Sequence, residues 1–203
     1  MWAVIRLYHA PATRSLRILW LLEELGVPYE VAPVDFTPPT RPFAQRTPVG
    51  KVPVLEDGEL TMFESGAIVE YVLERYGRGR LAPPPGTLER GVFLQWLHFA
   101  EATVMPPFGD LVRHMVFLPE AERISAILPD ARMRAAAALG VVERALGGKD
   151  YLLGAEFSAA DIMMAYGLLS ARSFGVLTDE YPNLKRYLAR LESRPAFQRA
   201  AQI

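Results

Sequence analysis

Strand patterning stops partway along this chain and does not return. Before the segment "GRGRLAPPPGT", Gly77 to Thr87, short β-branched and alternating runs are interleaved with helical ones; after it, the periodic stretches all repeat as helices. A Pro/Gly-rich connector between two kinds of patterning marks a junction. The 203-residue chain therefore reads as two domains: residues 1–80, an α/β layer, and residues 87–203, all-α. A hydrophobic content of 51% supports a large core without cross-links.

Within the first domain, Ala3 to Tyr8 is a short apolar run broken by Arg6 and followed by Ala10-Pro11, a strand entering a loop. "SLRILWLLEEL", Ser15 to Leu25, is apolar on most of its faces and stops at Gly26, as a well-buried helix does. Tyr29 to Asp35 alternates as a second strand, and Pro33 assigns it to a sheet edge. The prolines of "FTPPTRPFAQRTPVG" make that stretch a loop. Val52 to Leu55 and Glu59 to Met62 then flank Glu56-Asp57-Gly58 as a hairpin, and Ser65 to Tyr76 is a helix with Gly77 just beyond it. The order β-α-β then β-β-α predicts one mixed sheet.

In the second domain, "LERGVFLQWLHFAEATVM" ends at Pro106-Pro107, and a further helical stretch runs from about Asp110 to Phe117. "ARMRAAAALGVVERAL" stops at Gly147-Gly148. "FSAADIMMAYGLLSARSFGV" opens with Ser158 and Asp161 at the Ser-x-x-Asp spacing of a reciprocal helix cap, a folding element. The last helix covers about Leu184 to Glu192.

Charge and cysteine content narrow the chemistry. With 22 Lys+Arg against 23 Asp+Glu, the net charge of -1 provides no attraction for nucleic acid or an anionic membrane. No stretch approaches the roughly 20 apolar residues that span a bilayer, and the N-terminus lacks the features of a signal peptide. A soluble, cytoplasmic protein with no nucleic-acid or membrane partner is expected. There is no cysteine, which removes disulfides, thiolate-ligated zinc and a protein thiol nucleophile. Sulfur chemistry here must use a ligand's sulfur. His9, His98 and His114 are the only histidines, and the His98/Glu101 spacing reads as a solvated or core-lining pair, so no metal is expected.

Three stretches could hold a small molecule. The loop "HAPATRS" lies at the start of the first helix, where the dipole favours an anion, and it offers the hydroxyls of Thr13 and Ser15. Either can simply cap the helix; alternatively, one donates to a bound thiolate, lowering a thiol's pKa. Val52-Pro53 opens a strand: trans, it is an edge proline; cis, it turns the Val52 N–H and C=O outward to meet a peptide backbone. Glu64-Ser65-Gly66 opens the next helix, where Ser65 is either a plain cap or a carboxylate ligand, and Glu64 can face an ammonium. Together they suit a small zwitterionic peptide that carries a thiol.

The stretches "LYHAPATRSLRILWLLEELGVPYE", "GKVPVLEDG", "FESGAIVEYV" and "FSAADIMMA", in this order and spacing, resemble the glutathione S-transferase family over essentially the whole chain. The resemblance implies a thioredoxin-like N-terminal domain, a helical C-terminal domain carrying the electrophile pocket, and a homodimer. It implies a cis Val52-Pro53 step pairing with the cysteinyl part of glutathione, Glu64 and Ser65 at the γ-glutamyl end, and Lys51 near the glycyl end. Thr13, four residues before Arg17, stands where serine-type, theta- or phi-like members carry the catalytic hydroxyl; Ser15 and Tyr8 are the alternatives. Met105, Phe108 and His114, among Trp96, Phe99, Arg113 and Phe117, would line the second-substrate pocket between the domains, although aromatics at helical spacing also serve as core. Glutathione would act as co-substrate rather than as a bound cofactor. The implied activity is glutathione transfer to a hydrophobic electrophile. A glutathione-dependent isomerase or dehalogenase, or a non-catalytic glutathione-binding or interaction protein, is the alternative. A thioredoxin-like disulfide reductase is excluded because the helix start has no cysteine.

Overall fold

The computed structural model describes residues 4–35 and 50–203. The expected proline-rich loop, apart from its last residue Gly50, lies outside the described residues. In chain order the elements are β1 (Ile5–His9), α1 (Leu16–Leu25), β2 (Tyr29–Pro33), β3 (Val54–Asp57), β4 (Leu60–Phe63), α2 (Ser65–Tyr76), α3 (Leu88–Phe99), α4 (Met105–Val112), α5 (Ile127–Ala145), α6 (Ala159–Ser173), α7 (Pro182–Glu192) and α8 (Pro195–Ala200). They form two compact units, Met1–Leu81 with Ser193–Ile203, and Ala82–Glu192. Residues 193–203, counted with the helical domain from the sequence, thus group with the α/β unit.

The first unit holds a four-stranded sheet in the order β2-β1-β3-β4. β1 pairs parallel with β2 and antiparallel with β3, so the edge position expected of the Pro33 strand is the one it occupies. Ile5, Leu7, Tyr8 and His9 of central β1 are buried. α1 is buried on nearly every side, including Ile18, Leu19, Trp20, Leu21 and Leu22, and it ends at Gly26 in the left-handed conformation that glycine adopts freely. What covers its outer side is α8, from the far end of the chain. Phe197 stands edge-on to Trp20 with ring centroids 5.0 Å apart, and Arg194 grips the Glu24 carboxylate through two bonds of 2.6 and 2.9 Å. Helix α8 has a legible start, with Pro195 in its first turn, but it is too short for helical periodicity to declare it.

In the second unit, α6 is the buried centre, and its start is the reciprocal cap read from the sequence. Asp161, fully buried, accepts from the Ser158 N–H at 2.8 Å, the Ser158 hydroxyl at 3.0 Å, the Leu152 N–H at 2.9 Å and the Tyr187 hydroxyl at 2.6 Å. Burial pushes its carboxyl above the ordinary range, and these four donors oppose that push. Pro106-Pro107 does not end the helical run, contrary to expectation. A π-helical segment, Ala100–Val104, carries the chain into α4, and the prolines sit in α4's first turn. A second π segment, Arg113–Phe117, closes α4. Gly167 of α6 lets the first of these approach closely: a Cβ there would meet Val104 Cγ1 at 2.7 Å. Among the described residues, no helix is long and apolar enough to cross a membrane.

Two stability changes are expected. Phe197→Ala should destabilise the protein by about 3 kcal/mol by uncovering Trp20, read as an earlier urea midpoint by tryptophan fluorescence. Asp161→Ala should cost about 3–5 kcal/mol, because it strands buried donors, while Asp161→Asn, which keeps one acceptor, should cost less in the same titration.

Candidate functional site

Strand pairing gathers the three stretches singled out above. Tyr8 of β1 stands opposite Val54 of β3, and Val54 opposite Phe63 of β4. At this one end of the sheet, β1 is finishing, β3 is starting and β4 is finishing. The chain leaving β1 runs through Ala10 to Ser15, the chain entering β3 is Lys51-Val52-Pro53, and the chain leaving β4 is Glu64-Ser65. Tyr8, Ala10, Val52 and Val54 form one buried apolar cluster beneath them. The Val52–Pro53 peptide bond is cis. Lys51, just before it, and Glu64 are both exposed.

Two non-glycine residues with left-handed backbone flank this end, Ala12 at φ 57° and Glu64 at φ 73°. Such conformations cost of order 1–3 kcal/mol each and persist where surrounding structure imposes them, typically at ligand sites. Glu64 is the residue preceding α2, and its side chain caps nothing. Ser65 is the first residue of the helix rather than its cap. Its buried hydroxyl accepts from Arg17 Nη1 at 3.0 Å, tying the starts of α1 and α2 together.

The candidate hydroxyls separate by exposure and partner. The Tyr8 hydroxyl donates to Glu56 Oε1 at 3.0 Å. Ser15 precedes α1 but makes no capping bond; it is fully buried, with its Oγ 2.8 Å from His9 Nδ1 and 2.6 Å from Thr13 Oγ1. Thr13 is half-buried, and its hydroxyl donates to the Ala10 carbonyl at 2.6 Å. The first N–H groups of α1 are engaged as well, Leu16 and Arg17 donating to the Thr13 and Arg14 carbonyls at 3.2 Å. Of the three hydroxyls, only Thr13's combines partial exposure with a place at this end of the sheet. Burial holds the His9 ring below its ordinary pKa, so it stays neutral near pH 7. Nothing in the sequence singles out His9, because a lone histidine closing an apolar strand reads as core and its contact with Ser15 spans six residues.

The residues expected to line a second-substrate pocket sit inside the helical unit. Met105 and Phe108 are buried, Phe108 stacking on Phe174 with centroids 6.4 Å apart, and Trp96 stands edge-on to Phe99. His114 is buried too, its Nδ1 accepting from the Ile124 N–H at 3.3 Å. Phe117, by contrast, is 73% exposed. Trp96, Phe108 and His114 thus already have a packing or hydrogen-bonding partner within that unit. Among the described residues, no group of three or more His, Asp or Glu side chains could hold a metal ion.

Behind the site, the β3–β4 hairpin is clamped to the far end of α2. The buried Asp57 carboxylate accepts from the hydroxyls of Tyr71, at 2.6 Å, and Tyr76, and pairs with Arg75 Nε at 3.0 Å. Burial pushes this carboxyl up, but the bonds from Tyr71, Tyr76 and Arg75 outweigh burial and hold it below its ordinary value of 3.8.

Comparison with known proteins identifies the family. The profile of the glutathione S-transferase N-terminal domain matches residues 3–74, and that of the C-terminal domain matches residues 104–195. Glutathione S-transferase 4 of Zea mays is 34% identical, over 92% of this chain and 86% of its own. Among solved structures, a glutathione transferase from Phanerochaete chrysosporium in complex with oxidized glutathione is 27% identical, with a TM-score of 0.88 over 98% of this chain and 96% of that one. A glutathione transferase family member from Pseudomonas fluorescens with two glutathione bound is 28% identical, with a TM-score of 0.86 over 98% of this chain and 93% of that one. The chain belongs to the glutathione S-transferase family.

A group whose folded pKa is depressed stabilises the fold above its unfolded pKa and loses that contribution as pH falls through the folded value. Wild-type urea midpoints should therefore drop as pH falls below about 4, and Asp57→Asn should flatten that acid limb while lowering the midpoint at pH 7.

Proposed function

We propose that this protein is a glutathione transferase whose glutathione site is the sheet end built from Thr13, Lys51, Val52, Pro53, Glu64 and Ser65. The observation that carries the reading is the single register row Tyr8–Val54–Phe63, which brings a half-exposed hydroxyl, a cis proline step and a strained helix start to one place. In this reading the Val52 backbone pairs with the cysteinyl unit. Glu64 and the first N–H groups of α2 take the γ-glutamyl end, charge complementing the ammonium and the helix dipole the carboxylate. Lys51 lies toward the glycyl carboxylate.

Thr13 directs its hydroxyl at the sulfur. A free thiol with a pKa near 8.5 is only a few per cent ionised at pH 7, and lowering it by about two units needs about 2.7 kcal/mol of differential stabilisation. One hydroxyl bond to the thiolate plus the dipole of α1 are of that order. The thiol proton leaves to solvent on binding; the thiolate lone pair then forms the S–C bond as the electrophile's leaving group departs with its electron pair. Positioning supplies the remaining acceleration. The electrophile is apolar, and Met105, Phe108 and His114 are assigned to its pocket by the family resemblance alone. A cytoplasmic homodimer of the serine-type kind, with threonine in the serine position, completes the reading.

Calorimetric titration with glutathione, followed simultaneously by thiolate ultraviolet absorbance, tests this. Wild type should bind with its thiol mostly ionised at neutral pH, and Thr13→Ala should bind within about tenfold of wild-type affinity but without the thiolate signal. Wild-type binding without thiolate would leave a glutathione-binding protein in place of a transferase, and no binding would overturn the reading.

A further inference from the structure

Behind Thr13 lies a chain of short contacts that the activation step above does not use. Counting hydrogens along it determines its direction. Thr13 has one hydroxyl hydrogen, given to the Ala10 carbonyl at 2.6 Å. Its 2.6 Å contact with Ser15 Oγ therefore needs Ser15 to be the donor. Ser15's single hydrogen is then spent, so the 2.8 Å contact with His9 needs the proton to be on His9 Nδ1. The competing bond from Ser15 to the Ala10 carbonyl, at 3.3 Å, is much longer. The Ala10 N–H, 3.4 Å from Ser15 Oγ, supplies a second donor on the same side. The donors run outward: His9 to Ser15, Ser15 to Thr13.

We propose that His9 and Ser15 are positioning residues that supply Thr13 with a hydrogen bond from behind, so that its own proton is released from the Ala10 carbonyl to a ligand thiolate. The proposal rests on the glutathione-transferase reading of this site and extends it to two buried side chains that never touch the ligand. Because Ser15 already donates to Thr13 Oγ1, Thr13 can rotate its hydrogen from the carbonyl to the sulfur without leaving its oxygen unsatisfied. Each bond in the chain polarises the next, which makes the terminal hydroxyl a stronger donor than an isolated threonine. Burial keeps His9 neutral, and a neutral imidazole with its hydrogen on Nδ1 donates to Ser15 without adding a buried charge. The β-branch of Thr13 fits the same scheme: it restricts χ1 and holds Oγ1 against Ser15.

The test is the pKa of enzyme-bound glutathione thiol in the full-length protein, read from thiolate absorbance against pH, beside the glutathione Kd. Four variants are compared: Ser15→Ala, His9→Leu, His9→Asn and Thr13→Ala. Because the signal comes from bound glutathione, only folded protein contributes. Ser15→Ala and His9→Leu should each raise the bound thiol's pKa by about one unit, a tenfold loss of thiolate below that pKa, with Kd changed less than about threefold. His9→Asn, whose amide nitrogen lies near the Nδ1 position, should recover at least half of the shift; a purely structural role for His9 would show no such recovery. Unchanged thiol pKa in Ser15→Ala and His9→Leu, with a raised one in Thr13→Ala, would overturn the relay and leave the transferase reading standing. Absence of thiolate in wild type would instead overturn the transferase reading, and the relay with it.

Discussion

The antiparallel pairing of β1 with β3 is the constraint on which this protein depends. β1 is the central strand, bonded on one side to β2 in parallel and on the other to β3 in antiparallel. That reversal brings the end of β1 beside the start of β3, and hairpin pairing then brings the end of β4 to the same place. Each strand end leads directly into one of the three candidate stretches, so one register row gathers them. A slip of one residue would turn every side chain to the opposite face and break the Ala10–Val52 cluster on which the stretches rest.

Helix α1 supports the site from below, and its stability comes from both ends of the chain. It is apolar on most of its faces because most of them are covered: by the sheet, by α2, and by the C-terminal helix α8 through Phe197 and Arg194. Glu23 has a similar double tie, accepting from the Tyr29 hydroxyl at 2.6 Å and from Arg199. The loop ahead of α1 is then held by Arg17, whose guanidinium reaches Ser65 at the start of α2. Strain at Ala12 and Glu64 is sustained because both neighbouring helices are anchored this way.

The fold was largely legible in the sequence, because most of its elements carry local signals. Gly26 ends α1 where the pattern stops, Ser158 and Asp161 cap α6, and α2 spans the residues its periodicity marked. The departures come from longer-range or unusual backbone. A proline pair ordinarily ends a helix, yet at Pro106-Pro107 a π turn reroutes the hydrogen bonds and the helix resumes. At the site, Thr13, Ser15, Val52, Glu64 and Ser65 were legible as residue types in suitable places. Their partners were not, because Arg17 meets Ser65 and Tyr8 meets Glu56 across 48 positions of chain.

By itself, the sequence determined that this chain has an α/β half and a helical half, that a ligand must supply any reactive sulfur, and that hydroxyls crowd the start of the first helix. These follow from composition and from short-range periodicity, which one stretch of chain carries alone. Tertiary structure alone decided which hydroxyl is buried and which is half-exposed. Thr13 and Ser15 are two residues apart in an irregular turn, where neither period 2 nor period 3.6 applies and spacing says nothing about direction. Their orientation depends on the left-handed Ala12 between β1 and α1 and on His9 at the end of β1, where the strand places it against Ser15.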